Sequence, residues 1–418
     1  MMLNSLKLAV PLLLAGLFIP GTSWAEFRAT PSFSLRQEYN DNIYLERDKE
    51  GDFVTFVRPS LDILWSTRVV DLTLDLGLEY EKYWDNSDED ELRPSQGARL
   101  DSTFNLYRDA LFLRVTDTYE RVPIDEGDKG AVDNNLVNLT DSNRLEINPY
   151  LLLQPLRTLQ ARFDYLYENV WYREEEGDDA ETHRYSAVLT QQLTPRISAD
   201  LTGSFTQFRP KDASRSLLDD TGEEEYDRTD AGVGLLWQVN DQLALRGDVG
   251  RAWLDYEFSD DYDSTLFGGQ ADYQISVAFS VGAAYEEDIS ASVEDGARER
   301  QKASAYLAYA DRSNVRLTVF QTRDDYIEID RRDDGMGATL DGDVPITNKK
   351  GIAWLLSYTD YEEGDLEEYQ RYGGRLEFYH QLRLGRVSLG YTYNRNDSDI
   401  PSEDYDNNIV FAQVALRW

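Results

Sequence analysis

Residues 70–80 read Val-Asp-Leu-Thr-Leu-Asp-Leu-Gly-Leu-Glu-Tyr, and this stretch decides the fold class. Apolar residues occupy every second position from Val70, and polar residues or glycine occupy the positions between them. Because successive side chains of a β-strand point to opposite faces, an extended chain presents one apolar and one polar face here. Such a strand suits a β-sandwich with an apolar core or a membrane barrel with lipid against its apolar face.

The same alternation recurs along the chain and favours the barrel. Arg99 and Asp101, for example, lie on the face opposite Ala98 and Leu100. A wet barrel lumen accepts charged side chains, whereas a sandwich core does not. The sequence therefore predicts an all-β fold, a single closed antiparallel transmembrane β-barrel of roughly 18–20 strands. One weak segment, residues 338–346, is included as a strand because it keeps the strand number even.

The connections between the predicted strands alternate in length and charge. Short connections such as 66–68 and 348–350 are neutral or basic, and long ones such as 85–91, 324–334 and 397–406 are acidic. Membrane barrels have short periplasmic turns and long extracellular loops, so we expect these two classes at opposite ends of the barrel. Aromatic residues gather at the strand ends, as bilayer interfaces favour, and the predicted outer girdle includes Tyr83, Trp84 and Tyr256.

The N-terminal residues have the features of an export signal. Lys7 precedes an apolar segment, 8–19, and the small residues Ser23 and Ala25 flank Trp24 at a cleavage site. We therefore predict a signal peptide over residues 1–25 and an outer-membrane β-barrel over 26–418, and we expect the bacterial outer membrane as the location. No long stretch precedes the first predicted strand, so we expect no plug domain in the lumen.

The C-terminal residues resemble the last strand of bacterial outer-membrane barrels. Trp418 ends the chain, and Leu416 and Val414 share its face of the strand. The resemblance implies that these residues are an assembly signal for the barrel-assembly machinery.

Composition restricts the possible functions. The formal net charge is −37, the mean hydropathy is −0.58 and there is no cysteine. An acidic surface repels nucleic acid, so we expect no nucleic-acid partner. The two histidines, His183 and His380, fall on predicted apolar faces, so we expect no enzyme activity, no catalytic residues and no cofactor. The acidic runs 174–179 and 219–225 could bind Ca²⁺ or Mg²⁺, but they lack EF-hand spacing, and we interpret them as solvated loops without a metal site.

Charged residues on the polar faces are candidates for lining the lumen. Each could form cross-strand ion pairs that stiffen the wall, or it could bind or select a solute. The candidates are Asp71, Asp75, Glu79, Arg99, Asp101, Arg114, Arg144, Glu146, Arg162, Asp164, Arg184, Arg246, Asp248, Arg375 and Glu377.

Four stretches resemble a family of β-barrel porins (beta-barrel porin 2 type) found in exopolysaccharide and exosortase (PEP-CTERM) gene clusters. They are residues 37–45, 53–61, 144–150 and 372–418, and the first contains the Asp41-Asn42 pair typical of that family. The resemblance implies an unplugged outer-membrane channel that exports an exopolysaccharide or forms part of that route. The expected partners are outer-membrane lipid, lipopolysaccharide, the polysaccharide and periplasmic export proteins. Two alternatives stay open: a general or solute-specific diffusion porin, and a surface-structural or adhesion barrel acting through its acidic loops.

Overall fold

The computed structural model describes residues 26–124, 130–173, 179–211, 224–257, 259–291, 296–327, 329, 331–364 and 366–418. The predicted signal peptide lies outside these residues. Apart from the short 3₁₀ helix Ser87–Glu89, the regular elements are strands, and the described residues contain no helix long and apolar enough to cross a bilayer. The strands are β1 (Glu26–Asn40), β2 (Asp52–Ser66), β3 (Val70–Tyr83), β4 (Glu91–Pro94), β5 (Ala98–Tyr107), β6 (Leu111–Pro123), β7 (Leu139–Leu156), β8 (Leu159–Tyr172), β9 (Ala180–Thr194), β10 (Ile197–Pro210), β11 (Tyr226–Gln238), β12 (Leu243–Tyr256), β13 (Tyr262–Gln274), β14 (Phe279–Ala291), β15 (Ala297–Ala310), β16 (Asn314–Tyr326), β17 (Arg332–Thr347), β18 (Lys350–Glu363), β19 (Glu367–Gln381), β20 (Gly385–Ser398) and β21 (Tyr405–Arg417).

These strands form one closed antiparallel sheet. The last strand returns to the first, with β1 and β21 paired from Ser32–Arg417 to Asn40–Ile409. Strands β4 and β5 both pair with β3 and are successive pieces of one wall strand, so the wall has 20 strands. The predicted all-β closed barrel is confirmed, and β17 confirms the strand that was included for parity. In the described residues, no separate plug domain lies inside the barrel.

The short and long connections lie at opposite ends of the barrel, as predicted. Residues 67–69 and 348–349 form short turns, whereas 41–51 and 399–404 form longer connections at the other end. The predicted loop 324–334 is shorter than expected, because β16 and β17 stay paired as far as Asp325 and Arg332. Arginines neutralise the acidic residues there, since Arg300 pairs with Asp324 at 2.6 Å and Arg323 pairs with Asp334 at 2.8 Å.

The two faces of residues 70–80 in β3 differ in exposure to solvent. Leu76 and Leu78 are about half exposed on the outer surface, whereas Glu79 is only 3% exposed. Trp84 is exposed, as expected for an outer girdle. The prediction for Tyr83 and Tyr256 was wrong, since both are buried, and Tyr83 lies on the same face of β3 as Glu79. Tyr83 belongs to an apolar cluster with Ile43, Val54 and Phe56, which explains its burial.

Candidate functional site: the barrel lumen

The connection between β6 and β7 enters the barrel. We call residues 130–138 the inner loop. Its partners are Arg36 on β1, Arg375 on β19, and Thr392 and Asn394 on β20. These strands are several wall strands away from β6 and β7 in both directions around the sheet, so the inner loop must cross the lumen to reach them. The faces that it contacts are therefore the inward ones.

Asp133 anchors the inner loop to this wall. Its carboxylate accepts hydrogen bonds from Arg375 Nη1 at 3.0 Å and from Thr392 Oγ1 at 2.7 Å, and Arg36 Nη2 lies 3.5 Å away. The neighbouring Val132 exchanges two hydrogen bonds with the Asn394 amide, at 2.8 Å and 3.0 Å. Hydrogen bonds to charged groups are stronger than neutral ones, so Asp133 is the principal anchor.

The local sequence explains the shape of the inner loop. Asp133 and Asn138 have positive φ angles of 62° and 52°, a conformation that Asp and Asn tolerate better than most residues. The Asn134 side chain accepts hydrogen bonds from the backbone N–H groups of Leu136 and Val137, both at 3.2 Å. The Asp-Asn-Asn sequence therefore forms its own turn through side-chain to backbone bonds.

A second connection packs beside the inner loop. Asn42, from the Asp41-Asn42 pair, is fully buried and donates hydrogen bonds to the carbonyls of Glu46 at 2.7 Å and Asp406 at 3.0 Å. Ile43 packs in the apolar cluster against which Leu136 also lies. The Asp-Asn pair thus holds residues 41–51 against β21, where they support the inner loop.

The lumen is consequently filled beside the inner loop and open along the opposite wall only in the half near the short turns, because inward residues nearer the long connections, such as Ala252 and Leu254, are fully buried. Beside the inner loop, inward side chains such as Glu38 and Asn394 are at most 2% exposed. On the wall formed by β5–β12, inward arginines keep contact with solvent, and the side chains of Arg114 and Arg162 are 46% and 44% exposed. In the described part of the chain, solvent therefore has access to the lumen along this second wall.

The strand register places all of the candidate lining residues on the face of the sheet that the inner loop contacts. Residues that are partners across adjacent strands lie on the same face of the sheet, so the face can be followed from strand to strand. The pairs Asp75–Arg99, Asp101–Thr116 and Asp164–Ser186 are three steps along it. Their roles in binding or selecting a solute stay predictions.

The structure brings many of these residues together as ion pairs. Arg114 and Arg99 each approach Asp101 at 2.8 Å, and Arg162 approaches Asp164 at 2.6 Å. Further pairs are Arg144–Glu168 at 3.2 Å, Arg246–Asp248 at 3.6 Å, Arg375–Glu377 at 3.2 Å and Arg58 with Glu79. Four candidates make no ion pair with another described residue: Asp71, Asp75, Glu146 and Arg184. Three of these four form hydrogen bonds instead. Asp71 accepts one from the Ser66 hydroxyl, Glu146 accepts one from Thr116 at 2.8 Å, and Arg184 donates one to Thr206 at 3.1 Å.

The sequence alone did not predict the contacts of Asp133 that anchor the inner loop, nor a repeated pair of an arginine and a carboxylate two residues later. Arginine is followed two residues later by a carboxylate in several inward pairs, and this spacing puts both side chains on one face of a strand. The pairs with this spacing are Arg36–Glu38, Arg99–Asp101, Arg162–Asp164, Arg228–Asp230, Arg246–Asp248 and Arg375–Glu377. The spacing is visible in the sequence, although Arg395–Asp397 on the outward face of β20 has it too, so the spacing marks ion pairs rather than the inward face.

Both histidines, His183 and His380, lie on the outward face of the wall. His183 lies on the same face of β9 as the exposed Tyr185, and its Nδ1 is 2.8 Å from the hydroxyl of Tyr165. The described residues include no group of three or more His, Asp or Glu side chains that could hold a metal ion. The acidic runs 174–179 and 219–225 lie mostly outside the described residues.

Comparisons with known proteins show the fold alone. No protein-family model matches the chain, and no curated protein matches its sequence. The solved FrpB iron transporter from Neisseria meningitidis is 8% identical, with a TM-score of 0.50 over 93% of this chain and 82% of that one. A mutant of the ferric enterobactin receptor PfeA from Pseudomonas aeruginosa is 10% identical, with a TM-score of 0.50 over 94% and 80%. OccAB3 from Acinetobacter baumannii is 11% identical, with a TM-score of 0.43 over 93% and 99%.

The resemblance to the exopolysaccharide-associated porins therefore stays a prediction. A closed sheet satisfies its backbone hydrogen bonds without water and can therefore span a bilayer. Exposed leucine, valine and aromatic side chains on the outer face of this sheet suit contact with lipid. The chain is an outer-membrane β-barrel of 20 strands, similar in fold to outer-membrane receptor barrels.

Proposed function

We propose that this barrel is a passive channel for hydrophilic, uncharged solutes. The observation that carries the proposal is the solvent-exposed wall of β5–β12, where inward arginines are largely matched by carboxylates. Barrels of this size leave an aqueous interior unless something fills them. The inner loop leaves the short-turn half of this wall exposed, and the paired charges give that half little net charge for selecting ions.

Export of an exopolysaccharide is the finer form of this proposal. It is supported by the resemblance of residues 37–45 and 372–418 to porins from exopolysaccharide gene clusters. The acidic extracellular end also supports an uncharged polymer, because it repels anions at long range. The alternative is a general diffusion porin. Without an export channel the cell would secrete less polysaccharide, whereas without a diffusion porin it would take up small solutes more slowly.

Reconstitution in a planar bilayer tests the channel itself. We expect stepwise conductance with a preference for cations, because the mouth is acidic, and we expect the preference to fall as salt rises from about 0.1 M to about 1 M, where the screening length shrinks about threefold. The channel proposal fails if neither the intact barrel nor a variant with a shortened inner loop conducts.

Deleting the gene separates the forms of the proposal. A fall in secreted polysaccharide with intact synthesis supports export, and unchanged secretion with reduced uptake of small solutes supports a diffusion porin. An adhesion barrel would instead lose surface attachment when the acidic runs 174–179 and 219–225 are shortened, with conductance unchanged.

A further inference from the structure

The open wall contains a groove whose polar side chains are only partly used in ion pairs. It lies on the inner face of β6–β9 and has a volume of about 470 Å³. Ten of its twelve lining side chains are polar, and the lining includes Arg114, Glu146, Asn148, Arg162, Asp164 and Arg184. This volume is within the range of small-molecule binding sites. The lining is far more polar than that of most such sites, so a ligand must satisfy many hydrogen-bonding groups.

The charges in this groove nearly cancel. Arg114 is paired with Asp101 at 2.8 Å, and Arg162 is paired with Asp164 at 2.6 Å. The lining itself holds three arginines and two carboxylates, and Asp101 beside it is shared by Arg114 and Arg99, so one positive charge is in excess. A carboxylated or phosphorylated ligand would therefore find only one positive charge in excess, with the carboxylates of Glu146 and Asp164 beside it.

Arg184 keeps most of its donors free. Its Nε donates to Thr206 at 3.1 Å, and no described carboxylate lies within ion-pair distance of its guanidinium. An arginine has five N–H donors, so Arg184 can give two more bonds from one planar edge. Glu146 accepts a hydrogen bond from Thr116 at 2.8 Å and has further acceptor capacity facing the same groove.

We propose that this groove is a binding subsite for a neutral saccharide. Sugar hydroxyls both donate and accept, so adjacent hydroxyls can accept from Arg184 and donate to Glu146. The Asn148 amide nitrogen already donates to the Tyr165 carbonyl at 2.9 Å, which leaves its amide oxygen to accept from a further hydroxyl. The groove lies in the half of the barrel near the short turns, because Arg114 and Arg162 are each three residues from the start of their strands. A saccharide entering from the periplasm meets it early. This inference rests on the proposed channel function and deepens it.

Two glucose hexamers, one α-1,4-linked and one β-1,3-linked, are suitable probes, with polyethylene glycol of equal mass as the comparison. Added on the periplasmic side of a bilayer, at least one hexamer should interrupt the channel current for longer than polyethylene glycol does. In Arg184→Met and Glu146→Gln, the residence time should fall about tenfold, the effect of losing one charge-assisted hydrogen bond. The control is Lys302→Met, which removes an inward cation from β15, outside the groove.

The outcomes separate this subsite from the channel. Absence of conductance contradicts the channel, and calorimetry of the intact detergent-solubilised barrel with the same hexamers then tests the subsite directly. Conductance with hexamer interruptions no longer than those of polyethylene glycol overturns the subsite, as does equal weakening in Arg184→Met and Lys302→Met. Stronger interruption by a galacturonate hexamer than by either neutral hexamer would show an anion site instead.

Discussion

Shortening the inner loop is expected to raise the single-channel conductance at least about twofold, because conductance follows the open cross-section of the pore. The variant replaces residues 131–136 with two glycines and so removes Asp133, which anchors the loop to Arg375 and Thr392. The barrel wall stays intact in this variant, since these residues lie outside every strand. Single-channel recording in a planar bilayer measures the effect.

The matched control removes residues 400–402 from the connection between β20 and β21. This connection lies at the same end of the barrel, and residues 400 and 402 are not bonded to the inner loop. Its removal should leave the conductance within the spread of the intact protein. Equal conductance in the two variants would mean that the inner loop does not narrow the pore.

Gly373→Val should release the inner loop without altering its sequence. A Cβ atom at Gly373 would contact the Ser357 hydroxyl on the neighbouring strand and would lie 2.8 Å from Val132 Cγ2, so a branched side chain crowds the docked loop as well as the wall. Overpacking of this kind costs about 1–3 kcal/mol, which corresponds to a shift of about 5- to 150-fold in the docked-loop equilibrium. Since the chain has no cysteine, the labelling rate of a Leu136→Cys thiol by a water-soluble reagent reports the release.

Gly374→Val is the control on the neighbouring residue. Gly374 lies on the opposite face of β19, and the nearest atom to its added Cβ would be Leu356 Cδ2 at an ordinary 3.4 Å. Faster labelling only in Gly373→Val supports a docked loop that can be displaced. Identical rates in the two variants would show that Val132 does not hold the loop in place.

Much of the fold could be predicted because each strand carries its own local signal. The alternation in residues 70–80 depends on neighbours in sequence, and the same pattern sorted the candidate lining residues onto one face. The alternation of short and long connections likewise identified the two ends of the barrel. Acidic runs were less informative, since Asp324 and Asp334 lie in strands where arginines pair with them.

The inner loop could not be predicted in this way, because its contacts are between distant parts of the chain. Asp133 is more than 240 residues from Arg375 and Thr392, and nothing local to either strand specifies that contact. One signal was available. Ala131, Val132, Leu136 and Val137 make this connection unusually apolar, and exposed loops are seldom so apolar unless they pack against something.

Cysteine scanning of β8 tests the central claim, that the polar face of the wall encloses water and the apolar face contacts lipid. Arg162→Cys and Asp164→Cys are inward, whereas Phe163→Cys and Tyr165→Cys are outward. In the barrel embedded in a bilayer, we predict that a charged thiol reagent labels the first two at least about tenfold faster than the second two, because a charged group is costly to place in hydrocarbon. Equal labelling along the strand, or faster labelling of Phe163→Cys and Tyr165→Cys, would contradict it.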